Sequence, residues 1–168
     1  LTAQSDKAVG AQDFGTCIHR LFENQVKQTP GAIAVQWENE KLTYWELDQR
    51  ANQLAHHLIK VGVGQEQIVG LYVDRSIEMV VGILGILKAG GAYLPIDLAY
   101  PPERIAFMLE DANVKVLVTQ NRLSKKACNS VSPEFVCLDT DWGKIAQEKT
   151  TAPEVTVTAN QLAYVIYT

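Results

Sequence analysis

From Ile77 to Leu87 the chain carries apolar side chains on nearly every face of a helical wheel (Ile77, Met79, Val80, Val81, Ile83, Leu84, Ile86 and Leu87), which predicts a helix buried between layers. Its limits are written beside it. Ser76 stands where an N-cap is needed, Lys88 puts a cation in the last turn, and Gly90-Gly91 supplies the left-handed backbone that ends a helix. Ala92 to Pro95 follows as a short extended piece. Gly82 and Gly85 each weaken the helix by about 1 kcal/mol relative to Ala. That cost is explained if they let the backbone approach a neighbouring layer closely, the alternative being that they are incidental.

On either side the two periods alternate. Thr16 to Gln28 places Ile18, Leu21, Phe22 and Val26 at helical spacing and closes at Thr29-Pro30-Gly31. Ala32 to Trp37 reads as a strand, Glu38-Asn39-Glu40 as a tight turn, and the residues to Leu42 as its return. Thr43-Tyr44-Trp45-Glu46 matches a capping box, so a long helix is expected, with Leu47, Ala51, Leu54, Ala55, Leu58 and Ile59 as its buried stripe and Gly62 and Gly64 beyond its end. Gln67 to Val73 is the next strand. After the Ser76 helix, Tyr100-Pro101-Pro102-Glu103 opens another, with Ile105, Met108 and Leu109 inward. Lys115 to Thr119 and Phe135 to Leu138 read as strands, Asn121 to Ala127 as a weak helix and Asp141 to Glu148 as a short amphipathic one. Lys149 to Thr158 is polar and threonine-rich, a surface loop before a final apolar strand at Leu162.

Strands alternating with helices, and strands that are continuously apolar, predict an α/β fold with a largely parallel sheet. Ligands of such sheets bind beyond the carboxyl ends of the strands. The residues expected there are Asp74-Arg75, Asp97, Thr119-Gln120, Asp139 and Thr168. Residues 1–15 are polar, small and aperiodic, as in an interdomain linker, and 16–168 form the structured portion. The chain starts with Leu and stops inside the apolar run LAYVIYT, so it is expected to be a piece of a longer protein.

Composition narrows this further. The sequence has 168 residues, 47% of them apolar, and a formal net charge of −4 from interspersed charges. Lys125-Lys126 is the only basic doublet, so no footprint for nucleic acid or an anionic membrane is expected. The longest apolar run, Met79 to Leu87, is about nine residues against the ~20 of a spanning helix. Cys17, Cys128 and Cys137 are far apart without metal-ligand spacing, which fits reduced thiols in a cytoplasm.

Candidate chemistry is sparse. No phosphate-cradling glycine motif is complete. His56 and His57 diverge by ~100° on one helix, and they and His19 are read as surface or satisfied histidines. Glu103 is explained by helix electrostatics and Glu110-Asp111 by a solvated face, leaving no catalytic constellation and no metal site. Trp37, Trp45 and Trp142 are read as core or subdomain packing. Asp97, after a strand and Pro95, is expected to cap the following turn, with contact to a ligand as the alternative.

Two stretches carry a family resemblance. Leu42-Thr43-Tyr44-Trp45-Glu46-Leu47 resembles the first core motif of the adenylation domains of non-ribosomal peptide synthetases, and Leu87-Lys88-Ala89-Gly90-Gly91-Ala92-Tyr93-Leu94-Pro95-Ile96-Asp97 resembles the second. Ile18 to Glu23 with Thr29-Pro30, and Tyr100 to Ile105 with Leu117 to Gln120, are similar to these domains too, so the resemblance runs from about Cys17 to Thr168. Leu162 to Thr168 resembles the opening of the third core motif, whose continuation is the loop that holds ATP phosphates. The resemblance implies the N-terminal part of the acetyl-CoA-synthetase-like adenylate-forming fold. Its implied activity is ATP- and Mg²⁺-dependent activation of an amino acid to an aminoacyl adenylate, then loading onto a phosphopantetheine carrier thiol. It further implies carrier and condensation domains as partners, with a small accessory protein also known in the family. Thr168 is the one site residue it implies here, as a phosphate contact, and the isolated chain is expected to be inactive. The alternatives are an acyl- or aryl-CoA ligase of the same superfamily and, from another class, a non-catalytic docking module or split-enzyme half.

Overall fold

Four parallel strands form the centre of the protein, seen in a computed structural model that describes residues 16–127 and 133–168. The linker expected over 1–15 and Cys128 lie outside the described residues. The sheet order is β4 (Ala92–Pro95), β3 (Ile68–Tyr72), β5 (Val116–Thr119), β6 (Glu134–Cys137). β3 pairs with both β4 and β5, so Gly70 lies between Leu94 and Leu117. This is the α/β parallel architecture expected.

Strand alternation sorts the core into two layers. Val69, Leu71 and Val73 join Val116, Val118 and Val136 on the face covered by α2 (Tyr44–Lys60) and α3 (Ile77–Lys88). Tyr72, Leu94 and Leu117 point the other way, under Ile105, Met108 and Leu109 of α4 (Pro102–Asp111). A separate antiparallel hairpin, β1 (Ile33–Trp37) and β2 (Glu40–Thr43), follows α1 (Ile18–Gln28).

α2 begins where the sequence says. Thr43 Oγ1 accepts from the Glu46 amide at 3.2 Å, and the Glu46 carboxylate accepts from the Thr43 amide at 2.8 Å, closing the capping box. α3 is the buried helix expected, but Ser76 does not cap it. Its hydroxyl donates to the Asp74 carbonyl at 3.1 Å and leaves the helix start uncapped by a side chain. Gly85 does bring two layers together: a Cβ there would stand 2.6 Å from Leu54 Cδ2 and 3.0 Å from Leu54 Cβ. Gly90, at φ +87°, makes the left-handed stop.

Other elements depart from expectation. α6 is a single turn, Trp142–Ile145, rather than a helix to Glu148. Trp37 and Trp45 are 44% and 53% exposed, not core. No strand forms at Leu162. There the chain makes one parallel bridge to the edge of the sheet, with the Tyr93 amide donating to the Ala163 carbonyl and the Val165 amide to the Tyr93 carbonyl, both at 3.0 Å. The preceding segment, 149–158, is a strap rather than a free loop. Its carbonyls at Thr150, Thr151 and Thr156 meet side chains of Asn52, His56 and Gln65.

Candidate functional site at the carboxyl edge of the sheet

β4 and β3 end side by side, and beyond them the chain opens a cleft of about 530 Å³. β3 leads into Val73, Asp74 and Arg75; β4 ends at Pro95 and leads into Ile96 and Asp97; Tyr100 and Met108 come from around α4, and Ile166 and Tyr167 from the final segment. The bridge at Tyr93 and Tyr164 explains why that segment arrives here. Two parallel chains advance in step, so two residues past the bridge Pro95 and Ile166 reach the cleft together.

The strand order places the topological switch between β3 and β5, where the chain winds first to one side and then to the other. That crevice is already occupied by its own side chains. The Asp74 amide donates to Gln120 Oε1 at 3.3 Å, and Arg122 donates to the Asp74 carboxylate. The open space therefore lies on the β4 side.

The residues expected at this edge meet different fates. Asp74, Arg75 and Asp97 line the cleft. Asp97 Oδ1 accepts from the Ala99 amide at 2.8 Å, which is the turn-capping role favoured from sequence. Thr119 is fully buried and donates to the Tyr72 carbonyl at 2.6 Å, so it is structural. Asp139 sits apart, accepting from the Asn121 amide at 2.9 and 3.1 Å and so fixing the start of α5 (Asn121–Ala127). Thr168 is exposed directly after the two cleft residues Ile166 and Tyr167.

Two groups of this region were not visible in the pattern. Asp111 accepts a hydrogen bond from the Tyr167 hydroxyl at 2.5 Å, and that bond pushes the phenol up to about 12. The Tyr72 hydroxyl is buried without a partner, and loss of solvent raises its pKa. Among the described residues no group of three or more His, Cys, Asp or Glu side chains could hold a metal ion, and no helix is long and apolar enough to cross a membrane.

Residues 22–168 match the family of AMP-binding enzymes. The chain belongs to that family. Among curated members, gramicidin S synthase 2 of Brevibacillus brevis is 46% identical over 151 residues, covering 90% of this chain and 3% of that one. Zwittermicin A synthase ZmaJ of Bacillus cereus is 46% identical over 156 residues, covering 92% of this chain and 29% of that one. Among solved structures, the non-ribosomal peptide synthetase FmoA3 in its alpha-methyl-L-serine-AMP bound form superposes with a TM-score of 0.84 at 32% identity, over 97% of this chain and 18% of that one. The chain thus spans a small part of the AMP-binding relatives it matches. It is the largely parallel sheet with its flanking helices that they share.

Proposed function

We propose that these residues are the N-terminal portion of an adenylation domain that activates an amino acid in non-ribosomal peptide synthesis. An oxygen of the amino-acid carboxylate attacks the α-phosphorus of ATP, an acyl phosphate anhydride forms, and pyrophosphate leaves. The acyl group then passes to a phosphopantetheine thiol on a carrier domain, with release of AMP. The observation that carries this reading is the superposition, over nearly the whole chain, on a synthetase described with an aminoacyl adenylate bound.

Within this portion the chain's own work is positional. The parallel sheet sets the cleft at its carboxyl edge, and Thr168, exposed directly after the cleft residues Ile166 and Tyr167, is the residue to which the family resemblance assigns a contact with ATP phosphate. The residues present do not fit a magnesium site. Asp74 is turned to Arg122 and Asp97 to the Ala99 amide, so neither is part of a cation cage. The carrier and condensation domains of the same polypeptide and a small accessory protein are the proposed partners. Cys17 and Cys137 are free thiols, which supports the cytoplasm as the compartment.

The experiment is ATP–pyrophosphate exchange by the polypeptide that carries this segment, across amino, fatty and aryl acids. Exchange driven by one or a few amino acids is expected. Exchange with fatty or aryl acids alone overturns the reading in favour of an acyl- or aryl-CoA ligase.

A further inference from the structure

The last described segment is held at two points. Its backbone bridges Tyr93 on the edge strand, and three residues beyond that bridge the Tyr167 side chain reaches α4. Phe107 and Asp111, one helical turn apart, both meet Tyr167: the Phe107 ring is edge-on to it with centroids 6.3 Å apart, and the Asp111 carboxylate accepts its hydroxyl proton at 2.5 Å. Asp111 is the last residue of α4. A carboxylate there opposes the negative end of the helix dipole, so a donor aimed at it relieves an unfavourable placement. Nothing in the fold of the sheet needs this bond, since Tyr167 lies past the bridge and on the rim of the cleft.

We propose that Tyr167 and Asp111 are a positioning pair that fixes Thr168 at the cleft for its contact with ATP phosphate. The proposal rests on the reading of Thr168 given above. Consecutive Cα atoms are about 3.8 Å apart, so an anchor on Tyr167 confines the Thr168 backbone to a short arc. Without the hydrogen bond, Tyr167 keeps only its ring packing against Phe107 and the neighbouring core, and the phosphate loop that starts with Thr168 is less firmly fixed at its origin. The ordering would then have to occur on binding, which weakens the affinity for ATP rather than the chemistry that follows.

The test is made in the complete adenylation domain, with ATP varied in pyrophosphate exchange at saturating amino acid. Tyr167→Phe keeps the ring against Phe107 and removes only the hydroxyl. It is expected to raise the KM for ATP about three- to tenfold while kcat changes less than about twofold. Asp111→Leu behaves alike, and the double variant is no worse than either single one. Asp111→Asn, whose amide oxygen still accepts the phenol proton, stays within about twofold of the parent. A purely structural role would instead lower the active fraction and leave the KM alone. Hydrogen exchange of the Val165 amide reports the anchoring separately and is expected to quicken in Tyr167→Phe. Thr168→Val tests the underlying reading through the same KM. If Thr168→Val raises the KM but Tyr167→Phe changes neither KM nor exchange, the positioning pair is overturned and the Thr168 reading stands. An unchanged KM in Thr168→Val removes the reading and the proposal with it.

Discussion

The Lys88 ammonium lies 2.6 Å from Glu23 Oε1, joining the last turn of α3 to α1 across 65 positions of sequence. It also stands 2.9 Å from Asp48 Oδ1 of α2, an ion-pair contact off the hydrogen-bond line. The side chain of Lys88 is 1% exposed, so three helices share one buried cation. Lys88→Met removes that charge and leaves two carboxylates facing each other. A loss of about 3 kcal/mol is expected, read as the shift of the urea midpoint at neutral pH.

Acid should weaken the same junction in two stages. Burial holds His19 below its ordinary 6.5. Loss of solvent would raise the Glu23 carboxyl, but the hydrogen bonds and charges of Lys88 and Arg20 together outweigh that and hold it below its ordinary 4.5. In both cases the unfolded chain binds protons more readily than the folded one, so stability rises with pH. The His19 contribution is complete above 6.5 and is lost as pH falls from there toward its lower folded value. The Glu23 contribution is complete above 4.5 and is lost below it. Urea midpoints from pH 8 down to about pH 3 should show both stages, and His19→Gln should abolish the upper one alone.

Gly85→Ala gains about 1 kcal/mol of helix propensity and loses more to overlap with Leu54. The near atoms include Leu54 Cβ, which cannot swing away without moving α2. A net loss of about 2 kcal/mol in thermal or urea unfolding is expected. Gly143→Ala, where a Cβ meets nothing within 4 Å, is the control and should be neutral or mildly stabilising.

Thr43→Ala opens the capping box at the start of α2 and should cost about 1 kcal/mol, with the Glu46 amide, which donates to Thr43 Oγ1, losing exchange protection first. Full protection in that variant would mean that packing alone holds the helix start.

Tyr72→Phe removes a buried hydroxyl that has no partner. Stability should be unchanged or rise by about 1 kcal/mol. A drop of that size would instead mean that the hydroxyl is satisfied in solution.

What was legible in the sequence follows the range of the forces. Periodicity and caps act over a few residues, so α1, α2, α4 and the β1–β2 turn fall where the pattern puts them, and Gly82 and Gly85 mark close packing because a missing side chain is a local fact. Ser76 misled because an N-cap residue in sequence can spend its hydroxyl on a carbonyl two residues back, here that of Asp74. The Lys88 cluster and the Tyr167–Asp111 bond join residues 65 and 56 apart, and no local period encodes such pairs. Each residue also had a sufficient local explanation, a cation at a helix end or a carboxylate on a wet face. At the candidate site the strand ends were placed correctly, but sequence could not say that Asp74, Gln120 and Arg122 fill one crevice and leave the other open.

The strap over 149–158 is recognised through its main chain. Asn52, His56 and Gln65 each address a carbonyl oxygen, and Cys17 Sγ faces another at Val157. A carbonyl is present whatever side chain its residue bears, so the composition of the strap is free to drift while its path is kept. The constraint falls instead on the residues that reach out to it, Asn52 and His56 from α2 and Gln65 from the turn after it. Homologous chains should therefore differ most where this one is threonine-rich, and a library randomised at Thr150, Thr151 and Thr156 should retain far more folded members than one randomised at Asn52, His56 and Gln65.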